Sequence, residues 1–397
     1  MTLKIYRNLA EAVVDSLRLI FVDGKYADKV IEKVLKSNPR WGARDRRFIA
    51  ETTYDIVRWY RLFLTVSESS PTDFWKLLGT WCIWSNIGLP PWREFQALNQ
   101  ERLKSRYSEL SGNLPVVESI PDWLNEKGET ELKARWPIEL HALNEEARVV
   151  LRANTLKTKR KALQQTLLEE NIETSVSEKF PDALILNERQ NVFTKSAFKD
   201  GLFEVQDAGS QLIAPFLNAE PGMRVIDACA GAGGKSLHLS ALLQNKGKII
   251  AMDTEEWKLD ELRKRARRAG ATNIETRTID SSKVIKRLNG SADAVLLDVP
   301  CSGLGVLRRN PDAKWKLTAG FLDEVKDTQR KILREYSDMV KVGGKIVYST
   351  CSIFPSENEV QVKSFLAENK DFELQEEKMV YPSDGFDGFY MARMVRK

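Results

Sequence analysis

From about residue 206 onward, short runs of apolar residues alternate with helical stretches, and three of those runs stop on an aspartate. The runs are Arg224-Val225-Ile226-Asp227, Lys248-Ile249-Ile250-Ala251-Met252-Asp253, Ala294-Val295-Leu296-Leu297-Asp298 and Lys345-Ile346-Val347-Tyr348-Ser349. A strand that is apolar throughout must be covered on both faces, so such strands separated by helices predict an α/β fold with a parallel sheet. Open sheets of this kind bind ligands beyond the carboxyl ends of their strands, where the aspartates fall. The run Gly388-Phe389-Tyr390-Met391-Ala392-Arg393-Met394 is expected to add an edge strand.

Two further units precede this one. Residues 1–115 read as helical: Leu9, Val13, Leu17 and Ile20, then Phe48, Thr52, Ile56 and Trp59, recur at three- and four-residue spacing. Ser, Gly, Asn and Pro break the periodicity between Ser105 and Pro121, which suggests a boundary. Residues 116–205 then read as a small α+β unit, ahead of residues 206–397. Its strand-like segments are Val149–Arg152, Ala183–Leu186 and Gly201–Val205, with a basic helix through Leu163 and Leu168. Trp75, Trp81, Trp84 and Trp92 are expected to pack in a helical core rather than to stack on bases.

Several classes are disfavoured. No apolar run approaches the ~20 residues of a membrane helix, and the N-terminal residues show no signal-peptide core, so the cytoplasm is the expected compartment. Cys82, Cys229, Cys301 and Cys351 form no Cys-x-x-Cys pair, and His141 and His238 are the only histidines. Neither a zinc site nor any other metal site is expected, and the cysteines should be free thiols. No Gly-x-Ser-x-Gly elbow accompanies either histidine, which argues against a serine hydrolase. With 61 Lys and Arg against 56 Asp and Glu, the chain is too mildly basic for net charge to identify a polyanionic partner.

The loop Asp227-Ala228-Cys229-Ala230-Gly231-Ala232-Gly233-Gly234-Lys235-Ser236 lies between a strand and a helix. Clustered glycines let a backbone turn tightly against a ligand, and the helix start offers free amides. A phosphate-cradling loop would need glycine where Cys229 stands, and a dinucleotide fingerprint would need one at Ser236. S-adenosylmethionine needs only a glycine turn and an acid ending the next strand. Residues Cys229, Ala230, Gly231, Ala232, Gly233, Gly234 and Lys235 would form the turn, with Asp253 on the ribose hydroxyls. Asp280, after Ile274–Ile279, would reach the adenine amino group, and Asp298 closes the set. Each acid taken alone also fits a helix cap or a turn.

Cys82 reads as a small buried hydrophobe and Cys229 as part of the turn. Cys301 and Cys351 instead follow the ends of two strands, in Asp298-Val299-Pro300-Cys301-Ser302-Gly303 and Ser349-Thr350-Cys351-Ser352. Such a pair suits chemistry on cytosine carbon 5, which cannot attack a sulfonium methyl directly. A thiolate that adds to carbon 6 makes carbon 5 enamine-like, and a base then removes the carbon-5 proton as the thiol leaves. Asp298 would bind the cytosine amino group or share a proton with ring nitrogen 3. Lys235 would orient Asp298 or the base, or is an ordinary helix-start lysine.

These three motifs, the last extending as Tyr348-Ser-Thr-Cys-Ser-Ile-Phe-Pro-Ser-Glu-Asn-Glu, resemble those of the Nop/Sun family of RNA cytosine-5 methyltransferases. The likeness is greatest to its bacterial group acting on small-subunit ribosomal RNA, and covers roughly residues 145–397. Trp41-Gly-Ala-Arg-Asp-Arg-Arg-Phe is similar to that family's NusB-like helical domain. The resemblance implies a Rossmann-like class I S-adenosylmethionine methyltransferase domain, a small α+β RNA-binding subdomain and an all-α N-terminal domain. It also implies Cys351 as nucleophile and Cys301 as the group assisting release. Ribosomal RNA is the implied substrate, with tRNA or a non-catalytic role in ribosome assembly as alternatives, and a monomer is expected. Many relatives carry Ala-Pro-Gly-Gly where this chain has Gly231-Ala232-Gly233-Gly234, which should loosen the turn slightly.

Three basic clusters are candidates for RNA phosphates: Arg44, Arg46 and Arg47; Lys157, Lys159, Arg160 and Lys161; and Arg308 with Arg309. The last follows the Pro-Cys loop directly and is the strongest candidate. For the other two, a solvated face fits equally well. The arginine-rich stretch Arg263–Arg268 reads as a solvated outer face.

Overall fold

The computed structural model describes residues 5–397, which form two compact units. One holds the residues up to Glu145 together with Leu307–Ala319; the other holds Glu146–Val306 and Gly320–Lys397.

The first unit is helical. Its longer helices are α1 (Arg7–Phe21), α2 (Ala27–Ser37), α3 (Ala43–Arg58), α4 (Tyr60–Ser67), α5 (Phe74–Trp84), α6 (Gln100–Glu109), α7 (Asp122–Leu132) and α8 (Trp136–Asn144). The periodic residues Leu9, Val13, Leu17 and Ile20 of α1 are buried and pack with Ile49 and Ile56 of α3 and Leu77, Leu78 and Trp81 of α5 in one core. Trp75 and Trp92 flank the Arg7 guanidinium at 4.2 and 5.1 Å, a cation–π arrangement rather than a free stacking surface.

Packing carries this unit beyond the break near residue 115. Val116 is buried in the helical core, Arg61 donates to the Ile120 carbonyl at 2.6 Å, and Asn144 donates to the Glu118 carbonyl at 2.8 Å. Ser105, Ser108 and Pro115 therefore lie in helices of this unit, and Ser111, Gly112 and Ser119 in the turns that join them. Leu307–Ala319 also belongs here. The Trp315 indole donates to the Val57 carbonyl at 2.7 Å, and Asp312 accepts the amide of Ala27 at the start of α2 at 3.0 Å.

The second unit holds two sheets. The smaller is antiparallel, in the order β2-β3-β1-β4, from β1 (Val150–Ala153), β2 (Thr174–Val176), β3 (Ala183–Leu186) and β4 (Phe203–Val205). Leu163 and Leu167 of α9 (Arg160–Glu169) are buried in its core.

The larger sheet uses β5 (Arg224–Asp227), β6 (Lys248–Asp253), β7 (Ile274–Thr278), β8 (Ala292–Asp298), β9 (Val340–Thr350), β10 (Phe372–Val380) and β11 (Phe389–Arg396). Their order is β10-β11-β9-β8-β5-β6-β7. Strands β9 to β7 pair in parallel, while β11 is antiparallel to both of its neighbours. The chain runs outward from β5 to β6 and β7, then returns to β8 on the other side of β5. That reversal is the switch point where such sheets bind ligands. The helices α10 (Gly234–Leu242), α11 (Glu256–Ala269), α12 (Ala319–Tyr336) and α13 (Glu359–Glu368) complete the Rossmann-like fold.

Two expectations need correction. Strand β11 is not at the edge: it lies between β9 and β10. The edge strand β10 carries Glu373, Glu376 and Glu377 and was invisible to an apolar criterion, as suits an edge protected by charge. Nor is the arginine stretch of α11 wholly solvated. Arg265 and Arg268 bind the carboxylate of buried Glu204 in β4 at 2.9 and 2.6 Å. Asn154 adds bonds to the carbonyls of Gly201 and Ala269 at 2.7 and 2.8 Å, so polar contacts fix the small sheet against α11.

Candidate active site

At the switch point the β5 strand is prolonged by two bonds: Ala228 donates to the Leu296 carbonyl at 3.0 Å, and Ala230 to the Met252 carbonyl at 2.8 Å. The chain then turns through Gly231 at φ +54° and Gly233 at φ +86°. A Cβ on Gly233 would fall 2.4 Å from Leu262 Cγ, so only glycine fits that turn. A Cβ on Gly231 would meet no atom within 4 Å, leaving its backbone approachable by a ligand. Arg265 anchors the turn from outside, donating to the Ala232 carbonyl at 2.8 Å, and buried Arg152 donates to the Gly234 carbonyl at 2.7 Å.

Asp253 is nearly buried, and its carboxylate accepts the Gly231 amide and the Glu255 amide, both at 2.9 Å. Those bonds hold a charged acceptor beside the glycine turn. Beneath the turn lies Asp227, fully buried, with Oδ2 accepting from the Ser236 hydroxyl at 2.6 Å and Oδ1 unpartnered. Burial pushes its carboxyl up to about 7. Burial likewise pushes the Cys229 thiol up, which leaves it a poor nucleophile. Asp280 is exposed just past β7 and accepts from the Ser281 hydroxyl at 2.9 Å. An open glycine turn, a fixed acid at the next strand end and an orphaned buried carboxylate oxygen fit S-adenosylmethionine.

The reacting edge follows from strand register. Strands β8 and β9 pair in parallel with Asp298 opposite Ser349, so the loops that follow start side by side. Fifty residues of separation collapse to 3.2 Å between Cys301 Sγ and Cys351 Sγ. The Cys301 thiol is held well above its ordinary value, first by its hydrogen bond to Cys351 and then by burial. Asp298 accepts from the Lys235 ammonium at 2.5 Å and from the Ser349 hydroxyl at 3.0 Å. Burial opposes charge on Lys235, yet the Asp298 carboxylate, with a smaller contribution from Cys351, keeps its ammonium above the usual value.

Sequence reasoning assigned no role to several residues here. Gly305 donates to the Cys351 carbonyl at 2.8 Å, and Gly388 donates to the Gly305 carbonyl at 2.8 Å. Glu357 is fully buried between the two cysteine loops. A glutamate just past the Thr-Cys motif was its only signal.

The basic clusters divide. Arg44 and Arg47 are exposed on α3 and line a groove of about 740 Å³ with Tyr6, Phe48 and Trp81. Arg46 is committed to the carbonyls of Trp41 and Leu35, both at 2.9 Å. Lys159 is exposed, whereas the Lys157 ammonium binds the carbonyls of Asp200 and Arg268, both at 2.7 Å. Arg308 departs from expectation. It is 3% exposed and donates to the Ala142 carbonyl at 2.6 Å, so it braces the helical unit instead of meeting phosphate. Its neighbour Arg309 is half-buried.

Fold and site together define a class I S-adenosylmethionine-dependent methyltransferase. Residues 214–394 match the model of the family described as 16S rRNA methyltransferase RsmB/F, and residues 120–193 match the ferredoxin-like domain of the RsmF/B-like methyltransferases. The chain is 31% identical over 391 residues to the probable ribosomal RNA small subunit methyltransferase B of Synechocystis sp., covering 87% of this chain and 86% of that one. It is 32% identical to the ribosomal RNA small subunit methyltransferase B of Pectobacterium carotovorum, over 77% of this chain and 71% of the relative. The crystal structure of PH0851 shares the fold over 100% of both chains, with a TM-score of 0.83 at 24% identity. The chain belongs to the RsmB/F family of RNA methyltransferases. Among the described residues, no helix is long and apolar enough to cross a membrane.

Proposed function

We propose that this enzyme methylates carbon 5 of a cytosine in small-subunit ribosomal RNA, with Cys351 as nucleophile and Cys301 as the releasing group. The observation that carries the reading is the 3.2 Å approach of the two sulfurs at the strand edge that bears Asp298. Bound at the glycine turn with Asp253 and Asp280, S-adenosylmethionine supplies the electrophilic methyl group that the activated carbon 5 takes.

The chain's own groups do the rest. Two thiols in contact do not both ionise readily, and the proton stays on Cys301, whose thiol is held high. Cys351 is the sulfur left to attack, and the Lys235 ammonium, kept above its usual value mainly by Asp298, is a nearby cation. Its sulfur adds to carbon 6, and Asp298 accepts from the cytosine amino group while that ring gains electron density. Once Cys351 is bonded to carbon, the strongest hold on the Cys301 proton is gone. Cys301 loses that proton to water and takes the carbon-5 proton. The carbon–sulfur bond then breaks, its electron pair returning to Cys351. Because the base must leave its stack to reach this edge, an unpaired or flipped cytosine is required. Arg44, Arg47, Lys159 and Lys161 are exposed and are the candidates for RNA phosphates, Arg47 while lying 3.7 Å from Glu51.

The test is to incubate the enzyme and cofactor with unmodified 16S RNA, or with tRNA, and identify the methylated nucleoside by mass spectrometry. 5-Methylcytidine in 16S RNA is the expected product. A methyl group on another atom, or on tRNA alone, would overturn the chemistry or the substrate respectively.

A further inference from the structure

Ser302 and Ser352 directly follow the two cysteines, and both hydroxyls end on one carboxylate. Glu357 Oε1 accepts from Ser302 Oγ at 2.6 Å and from Ser352 Oγ at 2.5 Å. Its Oε2 accepts from the Ser302 amide at 2.8 Å and from Gln329 Nε2 at 3.1 Å. The same Gln329 amide group also donates to the Pro300 carbonyl at 2.9 Å, one residue ahead of Cys301. Glu357 is itself pinned, its backbone carbonyl accepting from buried Tyr348 at 2.6 Å.

A carboxylate with no solvent exposure is tolerated only when its oxygens are satisfied, and here each oxygen has two donors. Those donors are not scattered through the core. Ser302 and Ser352 lie in loops that leave different strands, and each is bonded next to a sulfur-bearing residue. Moving either loop away from the other would break at least one bond to a charged group, which is among the stronger hydrogen bonds.

We infer that Glu357 is a positioning residue that clamps the two cysteine loops together and sets the separation of the Cys301 and Cys351 sulfurs. The inference rests on the proposed division of labour between those cysteines for its catalytic consequence, but not for its geometry. Glu357 touches neither sulfur by hydrogen bond. It acts through the loops.

The test uses the full-length enzyme and reads geometry and catalysis separately. Diamide draws two protons and two electrons from a pair of thiols onto its N=N bond, leaving a disulfide. The rate of a Cys301–Cys351 crosslink, mapped by mass spectrometry, therefore reports how often the sulfurs approach bonding distance. In Glu357→Ala the crosslink should form at least about tenfold more slowly and kcat should fall about 100-fold, as expected for a misplacement near 1 Å. Cofactor affinity should be that of the wild type. Glu357→Gln keeps one acceptor for both hydroxyls but sets an amide group against the Ser302 N–H, so both readouts should lie in between. Ser352→Ala removes a single bond and should shift both readouts in the same direction by less, which keeps the test alive should Glu357→Ala fail to fold. Unchanged crosslinking in the Glu357 variants, or in Ser352→Ala where those do not fold, would overturn the clamp, whatever happens to kcat. Slowed crosslinking with full kcat would support the clamp's geometry and overturn its catalytic consequence. If the wild type methylates no cytosine, the function proposed above fails instead, and the crosslinking rates still judge the clamp.

Discussion

The Lys235 ammonium lies 2.5 Å from Asp298 Oδ2, while Ser349 holds the other carboxylate oxygen at 3.0 Å. Asp298 thus presents a fixed, charge-balanced acceptor at the end of β8. Lys235→Met removes the cation and leaves the carboxylate free to rotate. If Asp298 must meet the cytosine in one orientation, kcat should fall on the order of 100-fold, with RNA affinity little changed. Single-turnover methyl transfer measures this, and a wild-type rate in Lys235→Met would show that the pair is only structural.

Gly305 sits where two backbones converge. A Cβ there would fall 2.3 Å from the Gly388 carbonyl oxygen and 2.8 Å from that of Cys351. Neither obstacle is a flexible side chain, so the loop behind Cys351 must move. Gly305→Ala should cost about 1–3 kcal/mol, lowering Tm by roughly 5 °C, and should slow methyl transfer beyond what stability accounts for. Thermal unfolding that matches the wild type would contradict the close packing.

Two buried groups give opposing pH dependences. Burial raises the Asp227 carboxyl from 3.8 to about 7, so its contribution to stability is full below 3.8 and lost as pH rises through about 7. Burial lowers His238 from 6.5 to about 4, so its contribution is present above 6.5 and lost as pH falls through about 4. Across that shared window the two slopes oppose each other in the wild type. Asp227→Asn should unmask a stability that rises with pH, and His238→Gln one that falls with pH. Urea unfolding at a series of pH values separates them; slopes of the same sign in both variants would refute the assignment.

The contact between the thiols makes a further prediction. Since Cys351 contributes most to holding the Cys301 proton, Cys351→Ala should let Cys301 ionise at lower pH. Site-resolved alkylation should then show the Cys301 profile moving to lower pH, short of an exposed thiol because burial persists. An unmoved profile would mean that burial alone governs Cys301.

What could be read in advance was what depends on neighbours in sequence. The apolar runs that became β5, β6, β8 and part of β9 are local signals, as is the glycine turn ending at Gly234. The pairing of Cys301 with Cys351 was legible only through the fold, because parallel register sets where two loops begin. What escaped depends on distant partners. Arg308 resembles any surface arginine until the Ala142 carbonyl, far away in sequence, is brought against it. Arg265 and Arg268 read as solvated until Glu204 faces them. Glu357 looks like a surface glutamate because nothing nearby in sequence announces that Ser302 and Gln329 will enclose it.

The most direct test of the central claim is a covalent trap. Wild type, Cys301→Ala and Cys351→Ala are mixed with unmodified 16S RNA and S-adenosylmethionine and run on denaturing gels. A protein–RNA band should accumulate in Cys301→Ala alone, because addition by Cys351 proceeds while release stalls. A band in Cys351→Ala but not in Cys301→Ala would contradict the assignment and make Cys301 the nucleophile.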